Sequence, residues 1–147
     1  MKKVVTYNIE LVPEKWTEKS LCYDLRSAED IIINPWEVKV VKLWIKTNFA
    51  WRLYSRSSLP LKKHLMVANG VWIIDEDYRN EAGVILYNFW KEPVEISFWE
   101  RLCQMEIVDW WDIEDIIVDH DTFENWEKIE KSERTWWFGS TWGYNTL

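Results

Sequence analysis

Asn69-Gly70-Val71-Trp72-Ile73-Ile74-Asp75-Glu76-Asp77-Tyr78-Arg79-Asn80-Glu81 is the densest run of chemistry in this chain. Apolar residues from Val71 to Ile74 deliver an acid, Asp75. Two more acids, a tyrosine and an arginine follow at once. A short buried strand that ends in a carboxylate suits a site where a water is activated. Most charge clusters at strand ends are solvated turns, so the neighbours must decide between the two readings. Four other short stretches carry charged, amide, hydroxyl or aromatic side chains in differing combinations. They are Tyr23-Asp24-Leu25-Arg26-Ser27, Ser55-Arg56-Ser57-Ser58-Leu59, Arg101-Leu102-Cys103-Gln104 and Phe138-Gly139-Ser140-Thr141.

These stretches need elements to hold them, and the pattern predicts short strands. Lys3 to Val12 reads as a first strand ended by Pro13, with 14–21 a polar loop. Cys22 to Ala28 is a short segment with an acid between apolar neighbours, and Ile31 to Ile33 is a brief strand stopped by Asn34-Pro35. Glu37 to Lys46 and Trp51 to Ser55 read as strands, and 61–66 as a helical turn or two. Val84 to Phe89 and Val94 to Trp99 are strands joined by a turn at Lys91-Glu92-Pro93, and Arg101 to Asp109 is another. Residues 110–133 are acidic and poorly patterned, and 134–147 form a tail without periodicity. Many short strands at this spacing indicate an all-β sandwich or jelly roll.

At 147 residues the chain makes one domain able to bury its own core. It has no apolar run fit to span a bilayer and no leader pattern, and Cys22 and Cys103 form no disulfide or metal spacing. The expectation is a reduced, cytoplasmic protein without a membrane partner. A net charge of −7 argues against a nucleic-acid binder. It leaves room for a phosphorylated small substrate, which needs only local cations and backbone amides.

Taken together, the five stretches resemble, in order and over nearly the whole chain, the motifs of the trimeric deoxyuridine triphosphate nucleotidohydrolases, the dUTPases. The resemblance implies a dUTPase-like jelly roll, or β-clip, over 1–133 and a C-terminal arm over 134–147 carrying the fifth motif. It implies cleavage of dUTP to dUMP and pyrophosphate by water attack on the α-phosphorus. Phosphoryl transfer of this kind depends on positioning and charge neutralisation. Asp75 matches the water-activating carboxylate, and Asp24 the acid that holds Mg²⁺ through coordinated water. Arg56, Ser57, Ser58 and Gln104 match the phosphate-contacting set. Asn69, with Ile73 and Ile74 in its segment, stands where the family reads the uracil edge, mainly through backbone groups. Tyr78 matches the ring that packs on deoxyribose and leaves no space for a 2′-hydroxyl. Phe138 would stack on uracil, and Gly139, Ser140, Thr141 and Arg134 would close over the triphosphate. In this family the partners are dUTP and two further copies of the chain. A homotrimer builds each site from motifs one, two and four of one chain, the third motif of a second, and the tail of the third.

The departures concentrate at tryptophan. The chain has 13 Trp and 4 Gly, whereas average usage of about 7% would give roughly ten glycines. Trp36, Trp44, Trp51, Trp72, Trp90, Trp99, Trp136, Trp137 and Trp142 stand where the family usually has glycine. Glycine serves left-handed turns and close backbone approach, and indoles are no neutral replacement. At 72 an indole would intrude on the uracil pocket or displace Asp75; at 136–137 it would crowd a loop meant to wrap phosphate. The economical explanation is a UGA codon that the source organism reads as glycine and that has been translated as Trp. Cys22 and Asn80 also replace usual glycines, and Arg134 lies one residue closer to Phe138 than is common. Two other functions compete. A dCTP deaminase shares the fold but places a glutamate in the strand after the third motif, and Gly83 to Asn88 has none. An inactive dUTPase-like binding protein would follow if the tryptophans are real.

Overall fold

A computed structural model describes residues 1–109 and 112–131. Its second half is anchored by a strand of near-perfect alternation. Ala82, Val84, Leu86 and Asn88 of β9 (Ala82–Asn88) face inward while the residues between them face out. That period of two puts one face of the strand on the core. Its partner β5 (Val38–Thr47) buries Val41, Leu43 and Ile45 on the same face. Val38 and Val40 point to the outside and are exposed, so the core face is set by the later residues of the strand.

The first five-stranded sheet runs β12-β1-β5-β9-β7, with β1 at Lys3–Thr6, β7 at Leu65–Val67 and β12 at Asp115–Val118. The second runs β2-β3-β11-β6-β8, with β2 at Glu14–Lys15, β3 at Tyr23–Arg26, β6 at Trp51–Ser55, β8 at Trp72–Ile74 and β11 at Arg101–Ile107. A two-stranded ribbon pairs β4 (Ile31–Ile33) with β10 (Val94–Ile96). All pairings are antiparallel except β1 with β12. Leu25, Leu53, Val84, Leu86, Leu102 and Met105, from both larger sheets, join one buried cluster. The all-β, jelly-roll-like architecture expected from the strand spacing is therefore observed.

Several local expectations need correction. The first strand stops at Thr6, because the Asn8 side chain accepts a hydrogen bond from the Glu10 amide (2.9 Å) and opens a 3-10 turn over Ile9–Leu11. Glu14–Lys15, read as loop, pairs with β3. The helical turn lies earlier than expected, as α1 (Ser58–Lys63), and 65–67 is strand. The acidic stretch after 110 is structured: β12 is followed by α2 (His120–Glu124), capped by the Asp119 carboxylate on the Thr122 amide, and α3 (Trp126–Ile129). Phe123 and Trp126 pack on Val5 in a satellite core. Ile117 of β12 packs against them, and helices this short offer too few apolar positions for periodicity to register.

One residue outside every motif holds the sheet ends together. Asn88 is fully buried; its amide donates to the carbonyls of Ile33 (2.9 Å) and Glu92 (2.8 Å), and its side-chain oxygen accepts from the Trp90 amide (2.8 Å). A buried amide with all these partners fixes the β4–β10 ribbon against β9.

Candidate active site

Asp24 sits mid-strand on β3 and is paired in register with Gln104 on β11. The neighbouring strand β6 runs out at Ser55, opposite Cys103. Three sequence-distant motifs therefore meet at one end of the second sheet. The Arg56 Nε lies 3.2 Å from one Asp24 carboxylate oxygen, and the Arg101 Nε lies 3.7 Å from the other. Gln104 donates through Nε2 to the Ser55 carbonyl at 3.0 Å, which fixes the strand end from which Arg56 emerges. Beneath them Cys103 is wholly buried, and burial pushes its thiol well above the ordinary range. It is a packing residue, inert as a nucleophile.

Beside this cluster an open cleft of about 700 Å³ is lined by Arg26, Arg56, Lys62, Lys63 and Arg101, with Ser57 and Ser58 at the start of α1. The five cations outnumber the acids that pair with them: Asp24 serves Arg56 and Arg101, Glu14 lies 3.6 Å from Arg26, and Glu100 lies 3.0 Å from Lys63. In a chain of net charge −7 this is a local reversal of sign that can draw in an anion. The Ser57 side chain does not cap α1. Arg26, Lys62, Lys63 and Arg101 carried no assigned role in the sequence reading. Lys62 and Lys63 follow Arg56 on α1, and the pairing of β11 with β3 and β6 brings Arg26 and Arg101 beside them.

The third motif is elsewhere. β8 pairs with β6 so that Trp51 faces Ile74 and Leu53 faces Trp72. Asp75 therefore leaves the sheet beyond the Trp51 end of β6, whereas Arg56 leaves beyond the Ser55 end. Asp75 lies one residue beyond Trp51 and Arg56 one beyond Ser55, so about 20 Å separates them along β6 at the usual rise of about 3.3 Å per residue. Asp75 is exposed, as expected for an acid that must meet water, but the strand before it is less buried than anticipated. Ile73 is 59% exposed and only Ile74 is covered, because β8 is an edge strand. Asn69 lies in the exposed turn whose Gly70 amide donates to Val67 (3.0 Å), at the other end of β8 from Asp75. The Tyr78 ring is packed into the main core, its amide donates to the Asp75 carbonyl (3.1 Å) and its hydroxyl to the Glu81 carbonyl (3.1 Å). Trp72 is half-buried and packs on the main core, and β8 keeps its pairing there; the indole does not unseat Asp75 from the strand end. Arg134, Phe138, Gly139, Ser140 and Thr141 lie outside the described residues, as do Trp136, Trp137 and Trp142.

Most of the chain is similar to known proteins. The dUTPase family model matches residues 10–136. The chain belongs to the dUTPase family. It is 34% identical over 140 residues to the deoxyuridine 5'-triphosphate nucleotidohydrolase of Lactococcus lactis, covering 88% of this chain and 87% of that protein. It is 35% identical over 116 residues to the enzyme of that name from Mus musculus, covering 75% and 70%. Among solved structures the dUTPase from Streptococcus mutans matches with a TM-score of 0.68 at 27% identity, over 74% of this chain and 93% of that one. The Staphylococcus bacteriophage 80alpha dUTPase matches with a TM-score of 0.67 at 22% identity, a likeness of fold.

Proposed function

We propose that this protein hydrolyses dUTP to dUMP and pyrophosphate, in the cytoplasm, at sites shared between the subunits of a homotrimer. The observation that carries the reading is the convergence of Asp24, Arg56, Arg101 and Gln104 beside a cationic cleft, in a chain of the dUTPase family. Arg56 and the hydroxyls of Ser57 and Ser58 take the phosphate oxygens; the arginine contributes a fixed donor fork and the serines neutral donors. Lys62, Lys63 and Arg101 neutralise the remaining charge, which is most of what phosphoryl transfer asks of a protein. Asp75 takes the proton of the attacking water. Asn69 and the backbone of Ile73 and Ile74 read the base, and Tyr78 excludes a 2′-hydroxyl. Phe138, Gly139, Ser140, Thr141 and Arg134 close the site from the arm.

Mg²⁺ fits this donor set. Among the described residues no group of three or more His, Cys, Asp and Glu is placed to hold a metal, so a cage of protein ligands is not what the cluster offers. Mg²⁺ keeps several waters and takes one or two carboxylates with substrate phosphates, and Asp24 is such a carboxylate. Bound there, the ion would offset phosphate charge and orient the triphosphate.

The separation of Asp75 and Arg56 along β6 supports a shared site, in which the Asp75 end of one copy meets the Arg56 end of another. The test is pyrophosphate release from dUTP with Mg²⁺, with dCTP as control, followed by subunit mixing. Asp75→Asn and Arg56→Gln, each inactive alone, should regain activity when unfolded and refolded together. No turnover of dUTP by the folded protein would refute the activity. Turnover without recovery on mixing would refute the shared site.

A further inference from the structure

The described backbone turns left-handed at five residues: Trp36 (φ 62°), Trp44 (φ 50°), His64 (φ 54°), Gly70 (φ 72°) and Trp99 (φ 75°). Glycine is at home there and histidine is among the tolerated types, but a bulky aromatic residue is a strained outlier. The three tryptophans occupy positions whose geometry asks for glycine. In Asn34-Pro35-Trp36-Glu37 the Glu37 amide donates to the Asn34 carbonyl at 3.1 Å. Proline second and a positive φ third define a type II turn, whose third position is the glycine position. Ser97-Phe98-Trp99-Glu100 repeats the arrangement, with the Glu100 amide donating to Ser97 at 3.1 Å. Trp44 lies where the β5–β9 register slips between Lys42 and Ile45, a bulge in which a left-handed residue is normally glycine.

The conformations are imposed by their surroundings. The Trp36 amide donates to Asn88 (2.9 Å), and its neighbour Glu37 accepts from the Asn88 amide (3.0 Å). The Trp99 amide donates to Ser27 (2.8 Å), and the Ser27 amide returns a bond to Glu100 (2.8 Å). Trp36 is 63% and Trp99 51% exposed, so burial offsets little of the strain at those two, whereas Trp44 packs beside Tyr7 at the satellite core. We propose that positions 36, 44 and 99 carry glycine in the protein made by its own cell, UGA being read there as glycine. Trp51, Trp72 and Trp90 have no left-handed backbone, and Trp51 is wholly buried with its indole N–H donating to Thr47 (3.1 Å). The inference is confined to the three. At position 99 it has a consequence for the cleft, since the indole covers the Arg26 guanidinium at 4.1 Å and glycine would bare it.

Peptide mass spectrometry of the protein isolated from its source cells should find glycine at all three positions, and an indole mass at any of them overturns the proposal. A second measurement uses the chain as printed. Trp36→Gly and Trp99→Gly should each raise the folding equilibrium constant by about threefold or more, since relief of a left-handed non-glycine residue outweighs the greater chain entropy of glycine. Glu95→Gly, in an ordinary strand, should lower it. Stability unchanged or lowered in both tryptophan variants would refute the geometric ground.

Discussion

Asp24→Asn is the substitution that asks most of the proposed site. The carboxylate lies 3.2 Å from the Arg56 Nε and 3.7 Å from the Arg101 Nε. At an effective dielectric constant of about 20, each contact corresponds to roughly 4–5 kcal/mol of gross attraction. Most of that is offset by the desolvation of the three groups. Their side chains are 14%, 27% and 29% exposed, between the surface case and the buried one. Exposed pairs contribute up to about 1 kcal/mol, and breaking a fully buried pair costs about 3–5. The expected loss is therefore about 1–2 kcal/mol, or up to about thirtyfold in the folding equilibrium. Urea unfolding of the variant reads it directly. A double-mutant cycle with Arg56→Gln should assign about 1 kcal/mol of coupling to that pair. In the active assembly Asp24→Asn should also raise the Mg²⁺ concentration needed for half-maximal turnover while leaving uracil recognition unchanged. Zero coupling in the cycle, together with an unaltered Mg²⁺ dependence, would refute both the pairing and the metal-holding role of Asp24.

Four further substitutions separate the roles of their neighbours. Asp75→Asn should abolish dUTP hydrolysis while nucleotide binding, measured by calorimetry, is largely kept; equal loss of both would make the residue structural. Tyr78→Ala should relax discrimination against UTP, and because the ring is buried in the core it should also cost about 3 kcal/mol in denaturant unfolding; unchanged preference would reject the steric role. Gly83→Ala should destabilise by about 1–3 kcal/mol, since an added Cβ would lie 2.8 Å from a Val40 methyl and 3.1 Å from the Val41 carbonyl oxygen. Glu81→Gln should stabilise the protein at neutral pH. Burial pushes the Glu81 carboxyl up, and its Oε1 makes no hydrogen bond, so the fold favours the protonated form. The penalty is present above the folded-state pKa and absent below the usual glutamate range, so thermal unfolding should show the gain vanish on acidification.

The all-β architecture was legible because many short apolar runs follow one another at strand spacing and turn residues punctuate them. The family was legible because each motif keeps its residue types in order. Three things were not legible. The segment after 110 holds its place through Phe123, Trp126 and one capping aspartate, too few signals for a pattern. Asn88 looks like any polar residue near a strand end until both of its donors and its acceptor are seen to be used. Arg26 and Arg101 joined Arg56, Lys62 and Lys63 only through strand pairing.

Strand register also bears on the proposal that the site is shared between chains. Asp75 and Arg56 belong to segments joined by a single sheet, and β6 is the strand both are measured against. Because β8 runs antiparallel to β6, the acid that follows β8 must emerge at the end where β6 begins, and the arginine that follows β6 at the end where it stops. No side-chain motion spans that distance, since strand pairing fixes both backbones. A one-residue slip of β8 would move Asp75 by about 3.3 Å and send its apolar residues to the wrong face. The separation is thus built into the topology. In the proposed site, Asp75 of one copy acts on a nucleotide held by Arg56 of another. Assembly and activity should therefore be lost together: dilution that dissociates the oligomer should abolish turnover while each chain keeps its β-sheet signal. An isolated chain that turns over dUTP at the full rate would contradict the register.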